Sequence, residues 1–407
     1  MIEMRENIPW REARDLLLSL AKETDIEETG PDECAGRVLA FDLTASGDVP
    51  PFDRSAYDGY AMRSQDLEGA GKDSPVTLRI TETVPAGKVP TRPVVPGTAA
   101  RLMTGAKIPD GADCVINFER TAFTEETVTV FHSLRQGDNI VRRGEDVAAS
   151  TLLAPRGTVI DPGLAGTLAA QGITRIRVYR KPVIALISTG SEVVEADSEE
   201  APGKIRNANR TAFTALLQTE GCLVRYMGLA GDDAGEIASL ISRGLEECDA
   251  VIVTGGVSVG EWDVTPDAMA LSGAEILIRG VSMKPGMACA FAYRGGKPVF
   301  GLSGNPASAL TNYCACVLPA VRRIAGRAEA LPETFTAEMA EGFGKKSPSE
   351  RFLRGRIRFE GGKTLFVSSA RQGNAVLSSA IGCNAFARIP AGSGPVEAGR
   401  TVDGFML

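Results

Sequence analysis

The chain has a single histidine, His132, in 407 residues. A zinc site with two or three imidazole ligands is therefore excluded. A Ser–His–Asp or Cys–His nucleophile would need His132 itself, and its setting, Thr-Val-Thr-Val-Phe-His-Ser, reads as the end of a surface hairpin strand. Cysteines number 8 and form no C-x-x-C pair. They read as core thiols of a reducing compartment, with Cys314 and Cys316 on one buried helix. A basic excess is also lacking: the formal charge is −7, which argues against a protein that coats nucleic acid. No run approaches the roughly 18 apolar residues needed to span a bilayer. The start, Met-Ile-Glu-Met-Arg-Glu-Asn, carries acid and no apolar signal region. A cytoplasmic protein with no membrane or nucleic-acid partner is expected. Proton transfer and ligand binding then fall to carboxylates, Lys, Arg, hydroxyls and backbone.

Glycine is abundant, 45 of 407, above a usual share of about 7%, which points to many tight turns and close approaches of backbone to ligand. Apolar residues make up 43%, enough for real cores, and about 150 residues per domain suggests two to four domains. Pro9 followed by Trp10, Ala13, Leu16, Leu17, Leu20 and Ala21 predicts an opening amphipathic helix. Residues 48–139 read as a β-rich module, with strands at Thr77–Val84, Cys114–Phe118 and Thr127–Phe131. Residues 1–47 and 140–180, the latter with a short helix Leu164–Gln171, read as one discontinuous connecting domain packed on the first helix. Over 181–327, apolar strands (Val183–Ile187, Leu223–Met227, Ala250–Val253, Glu275–Ile278, Ala288–Tyr293, Pro298–Gly301) alternate with helices (Arg210–Thr219, Ala234–Glu246, Pro266–Ser272, Pro306–Ile324). This pattern predicts a mainly parallel α/β sheet covered on both faces. Residues 328–407 read as a small β-barrel, with strands at Arg356–Phe359, Thr364–Val367 and Ala385–Ile389.

Three α/β strands end alike: Ser188-Thr189-Gly190, Thr254-Gly255-Gly256 followed by Val257-Ser258, and Ser303-Gly304-Asn305-Pro306. In an open parallel sheet, ligands sit outside the carboxyl ends of the strands. Glycines there let N–H groups approach a phosphate, and Pro306 at a first helical position makes Ser303–Asn305 an anion site. Glu192, Asp232 and Asp263 follow these strand ends. Carboxylates beside phosphate imply a hard cation such as Mg²⁺. Lys284, Arg206 and Arg210, the last two flanking Asn207 and Asn209, are candidate counter-charges.

Taken in order, Phe-Asp-Arg-Ser-Ala-Tyr-Asp58-Gly-Tyr-Ala, Met-Thr104-Gly-Ala, Arg-Gly-Glu-Asp146, Ser-Thr-Gly-Ser-Glu192, Thr-Gly-Gly-Val-Ser-Val-Gly-Glu-Trp-Asp263, Lys284-Pro285-Gly286 and Gly-Asn-Pro carry a resemblance over nearly the whole length. The chain resembles the molybdopterin molybdenumtransferase family (MoeA-type). That resemblance implies four domains and a homodimer whose active site is shared between the α/β domain of one subunit and the β-rich module of the other. It implies Mg²⁺- and molybdate-dependent cleavage of adenylylated molybdopterin with release of AMP, and contact with molybdopterin adenylyltransferase. It places Asp58 and Thr104 in the module that crosses the dimer, with Asp58 orienting water or molybdate. Glu192, Asp263 and Asp146 become the metal-side acids, with Asp232 nearby. Lys284 and Arg354 offset oxyanion charge. Ser188–Gly190, Asn209, Gly255–Ser258, Pro285, Gly286, Ser303–Asn305 and Ser378 or Ser379 contact the cofactor precursor.

Several positions depart from the family pattern. Ser191 replaces an acid, Arg206-Asn207 an aromatic–acid pair, Tyr57 a Met, and Ser303 a Pro. Gly280, beside Arg279, stands where a second lysine is common. Two alternatives stay open: a molybdopterin adenylyltransferase, whose usual loop is Gly-Gly-Thr-Gly rather than Gly-Gly-Val-Ser-Val-Gly, and a non-catalytic scaffold of the same fold.

Overall fold

The protein is described here by a computed structural model covering residues 4–258, 260 and 263–407. Its centre is a seven-stranded sheet in the order Arg5–Ile8, Glu275–Val281, Cys289–Arg294, Lys297–Leu302, Ala250–Thr254, Val183–Thr189, Leu223–Ala230. All neighbours are parallel except Cys289–Arg294, which runs against both of its partners. Alternate residues of the same strand feed two separate cores. Ile184, Leu186, Ile252 and Phe300 face one; Ala185, Ile187, Val251 and Val253 face the other. Burial on both faces is why these strands read as continuous apolar runs. The four-residue edge strand Arg5–Ile8 is polar and largely exposed, so its pattern carries no strand signal.

The helix Trp10–Leu20 buries Trp10, Ala13 and Leu17 in the first of these cores. The expectation that residues 142–180 pack back on this helix is therefore corrected. Its apolar stripe is taken by the central core and by the barrel, with the Trp10 ring set edge-on to Phe352 at 5.2 Å. Residues 140–180 instead meet the N-terminal region further along. Ile176–Tyr179 pairs with Ile26–Thr29, and Leu152–Ala154 with Leu43–Thr44, over a small core that includes Leu39, Ile160 and Leu168.

The helix expected over Pro306–Ile324 is interrupted by a π-helical turn, Tyr313–Val317, between Pro306–Asn312 and Leu318–Ile324. Pro319 explains it, since a proline lacks the N–H owed to the carbonyl four residues back and its ring crowds that carbonyl.

The β-rich module is a six-stranded sheet, and two of its strands, Gly59–Met62 and Thr98–Leu102, have no alternating pattern. Both lie inside the sheet, and Gly59–Met62 is buried throughout. The module is tied at its base where Asp53 accepts from the Arg143 N–H (2.8 Å) and Arg142 Nη1 (2.7 Å), and Asp48 from Arg143 Nε (2.5 Å). His132 sits half-buried in a bend after the strand Thr127–Val130.

In the C-terminal region Glu350–Glu360, Lys363–Ser368, Thr334–Met339, Thr401–Met406 and Ala385–Ile389 pair in a closed ring, the expected barrel. Met283–Lys284 joins it in parallel beside Glu350 and Arg351. All eight cysteines are free thiols, and Cys314 and Cys316 are buried as expected. Among the described residues no helix is long and apolar enough to cross a membrane.

Candidate active site

The carboxyl ends of Val183–Thr189, Ala250–Thr254 and Lys297–Leu302 open together into a cleft of about 740 Å³. Its walls bring together Ser188, Thr189, Gly190, Glu192, Asn209, Asp232, Gly255, Gly256, Val257, Ser258, Asp263, Ser303, Gly304 and Asn305. These are the strand-end residues that the sequence reading assigned to the ligand. Val259, Glu261 and Trp262 of the same motif lie outside the described residues, as do Met1–Glu3.

Crossing of the strand ends is tight. Gly255 has φ +110°, and a Cβ there would lie 2.4 Å from Thr189 Oγ1 and 2.7 Å from Thr189 O. Only glycine satisfies both the left-handed backbone and the close approach. Thr265 Oγ1 fastens this turn by donating to Gly255 O at 2.8 Å. On the third rim, Asn305 precedes the helix Pro306–Asn312 with Pro306 in the first turn, and Asn209 Nδ2 donates to Gly304 O at 2.9 Å. The Asn209 Oδ1 is buried without a partner among the described residues.

Among the described residues, three carboxylates face this cleft. Glu192 is exposed, with its carboxylate folded back over Gly190. Asp263 Oδ2 accepts from the Gly260 N–H at 2.9 Å, and Asp232 Oδ2 from the Ser191 N–H at 3.1 Å. Against them the described lining holds one cation, Arg206, which donates to Ala196 O. Arg210, a candidate counter-charge in the sequence, is engaged elsewhere: its Nη1 lies 2.6 Å from Glu195 Oε2. No group of three or more His, Cys, Asp or Glu poised to hold a metal is found among the described residues.

Other expected residues lie outside this cleft in one chain. Lys284 is exposed beside the barrel strand, while Pro285 and Gly286 are buried and Asn312 Nδ2 donates to Gly286 O at 2.6 Å. Arg354 has no exposed surface. Its Nε donates to Ser379 Oγ (2.8 Å) and its Nη2 to Gly373 O (3.1 Å), while Nη1 has no partner among the described residues. Burial holds this guanidinium below its ordinary pKa. Ser378 and Ser379 line a second depression of about 370 Å³ with Arg356 and Arg371. The barrel loop still reaches the cleft: Ala375 lines it, and Asn374 O accepts from the Ser308 N–H at 3.2 Å. That loop contact was missed in the sequence, which has no marker for it.

Asp58, Thr104 and Asp146 sit on or at the base of the β-rich module. Thr104 grips Asp58 Oδ1 twice, through its N–H (2.6 Å) and its hydroxyl (2.8 Å). Those bonds, the N–H first, hold the Asp58 carboxyl below the ordinary aspartate value of 3.8. A depressed folded pKa means the clasp is complete above 3.8 and is lost as pH falls through the lowered value. The Thr104 amide resonance is accordingly expected to titrate below pH 3.8, and a midpoint at or above it would contradict the clasp.

With this geometry in hand, comparison with known proteins is direct. Residues 8–172 match the family model "MoeA N-terminal region (domain I and II)", 185–323 "Probable molybdopterin binding domain", and 336–405 "MoeA C-terminal region (domain IV)". The molybdopterin molybdenumtransferase of Staphylococcus epidermidis is 36% identical over 403 residues, 99% of this chain and 96% of that one. That of Staphylococcus aureus is 34% identical over 404 residues, with the same coverage. A solved molybdopterin biosynthesis MoeA protein of Pyrococcus horikoshii superposes with TM-score 0.84 at 31% identity, covering 98% of this chain and 100% of that one. The full-length match in sequence and in fold shows that this chain belongs to the molybdopterin molybdenumtransferase family of MoeA-type enzymes.

Proposed function

We propose that this enzyme cleaves adenylylated molybdopterin in the presence of Mg²⁺ and molybdate, releasing AMP and leaving molybdenum on the dithiolene. The observation that carries this reading is the convergence of three glycine-rich strand ends with Glu192, Asp232 and Asp263 on one cleft. The rims offer N–H and hydroxyl donors to a pyrophosphate. Among the described residues, three carboxylates stand against one arginine and would repel it, so a hard cation is required. An all-oxygen donor set fits Mg²⁺, which is held by one or two carboxylates together with phosphate oxygens; Glu192 and Asp263 would supply them. Bound there, the ion would neutralise charge on the departing phosphate. Asp58, ionised throughout the neutral range, can only accept hydrogen bonds, which suits orientation of an attacking water or a protonated molybdate oxygen.

In one chain Asp58, Thr104 and Asp146 lie off the cleft. We read them as the contribution of a second copy, so that a homodimer completes the site. A substrate of this kind must come from adenylyl transfer to molybdopterin, which fits a contact with molybdopterin adenylyltransferase. The test is to incubate the purified protein with adenylylated molybdopterin, Mg²⁺ and molybdate, assaying AMP and mature cofactor together. Both are expected, and both should cease on chelation of Mg²⁺. ATP-dependent adenylylation of molybdopterin by this protein alone would overturn the reading.

A further inference from the structure

Glu192 is carried on a segment, residues 191–206, that leaves the sheet after Gly190 and returns at the helix Ala208–Thr219. Within the segment, Val193–Val194 pairs with Ile205–Arg206, the Ile205 N–H donating to Glu192 O (2.9 Å) and the Asn207 N–H to Val194 O (2.7 Å). A two-residue ladder of this kind is too short to hold its own geometry in water. Something must pin it to the body of the domain. Glu195, three residues beyond Glu192, does so in two directions. Its Oε1 accepts from Tyr226 Oη at 2.6 Å, on the strand Leu223–Ala230, and its Oε2 from Arg210 Nη1 at 2.6 Å, in the first turn of the helix.

The anchor continues toward the cleft. Asn207 Nδ2 donates to Tyr226 Oη (3.2 Å), and Asn207 Oδ1 accepts from Ser188 Oγ (3.3 Å) and from the Arg210 N–H (3.0 Å). Asn207 and Ser188 both line the cleft and are both buried. The Arg210 guanidinium also lies over the Tyr226 ring, 4.1 Å from its centre. Burial pushes the Glu195 carboxyl up, but the bonds from Tyr226 and Arg210 outweigh it and hold it below the ordinary range. Burial and the bond to Glu195 push the Tyr226 hydroxyl up to about 12. At neutral pH the pair is a carboxylate accepting from a neutral phenol, a charge-assisted bond stronger than an ordinary one.

We propose that Glu195 is a positioning residue: tied to Tyr226 and Arg210, it fixes the segment that presents Glu192 to the metal side of the cleft. The proposal rests on the role given above to Glu192. An arginine–glutamate pair this exposed contributes little to global stability, so its effect is on placement. Supports around metal-binding carboxylates typically cost about 10- to 100-fold in metal affinity when removed.

Two measurements test it. Hydrogen exchange of the amides within 191–207 should accelerate about tenfold or more in Glu195→Ala, with the strand Ala250–Thr254 unchanged, since opening a locally held segment exposes only its own amides. In the AMP-release assay, Glu195→Ala should raise the Mg²⁺ concentration for half-maximal turnover about tenfold or more. Glu195→Gln, which keeps the Tyr226 bond, should fall between wild type and alanine. In a Glu192→Gln background, Glu195→Ala should add nothing, because residues acting through one another are non-additive. Unchanged exchange over 191–207, or fully additive losses, overturns the proposal. A wild-type protein that releases no AMP overturns the assigned reaction instead, and the exchange measurement still decides the tether.

Discussion

Glu192→Ala and Asp263→Ala should each lower AMP release from adenylylated molybdopterin by about 10²- to 10³-fold, the loss typical when one preorganised electrostatic contact to a developing charge is removed, with the fold expected to persist. The two residues come from different strand ends and meet at one cleft. Neither holds the protein together. Glu192 is exposed, and its carboxylate rests over Gly190 rather than in a buried pair. Among the described residues the Asp263 side chain makes one loop bond, from the Gly260 N–H, worth about 1 kcal/mol at a site open to water. Thermal melting should therefore shift by only a few degrees for Asp263→Ala and less for Glu192→Ala. Turnover then reports on chemistry and melting on structure. Glu192→Gln preserves shape and one acceptor oxygen but removes the charge, so it should lose nearly as much activity if cation binding is the role. Wild-type turnover in both alanine variants would remove the metal-side assignment.

Arg354→Met should weaken molybdate binding by about 10- to 100-fold, the equivalent of one charge-assisted hydrogen bond at 1.5–3 kcal/mol, without a matching loss of stability. The side chain has no exposed surface, and among the described residues it has no carboxylate partner and its Nη1 is unbonded. A buried charge in this state is costly, and a bound anion would offset that cost. The adjoining depression supplies Arg356, Arg371, Ser378 and Ser379 and no acid among its lining residues. A methionine of similar length fills the space without the charge, and exchanging a buried charge for an apolar side chain is often neutral or stabilising. The readout is the rise in melting temperature with added molybdate, since a ligand that binds only the folded state stabilises it by mass action. Wild type should show the rise, Arg354→Met little of it. Equal rises in both proteins would dissociate Arg354 from anion binding.

The same residue shows where reading the chain stops. Arg354 in Phe-Leu-Arg-Gly could be placed near oxyanion charge by resemblance, yet nothing in that tetrapeptide says that it is buried or that one of its nitrogens is unbonded. Arg210 is the converse case. As a cation beside Asn209 it suited a phosphate, but its partner Glu195 lies 15 residues upstream, and only folding of 191–206 brings them together. Lys284, a candidate counter-charge in the sequence, does not line the cleft, because its strand pairs with the barrel. The strands Gly59–Met62 and Thr98–Leu102 carry no alternation because both of their faces are buried, Tyr60, Met62 and Ala99 in one core and Ala61, Ala100 and Leu102 in another.

Local sequence alone determined the alternation of apolar strands and helices from Val183 to Ile324, the glycine-rich turns at three strand ends and the acids beside them. Each is written within a few consecutive residues, where backbone freedom and burial period act directly. Tertiary structure alone decided that Arg5–Ile8 extends the central sheet, that the first helix lies against the barrel and central core, and that Thr334–Met339 and Thr401–Met406 close the barrel. Those outcomes depend on which distant apolar or hydrogen-bonding surface is left uncovered. No single stretch of the chain records that surface, because it exists only after the other elements have assembled.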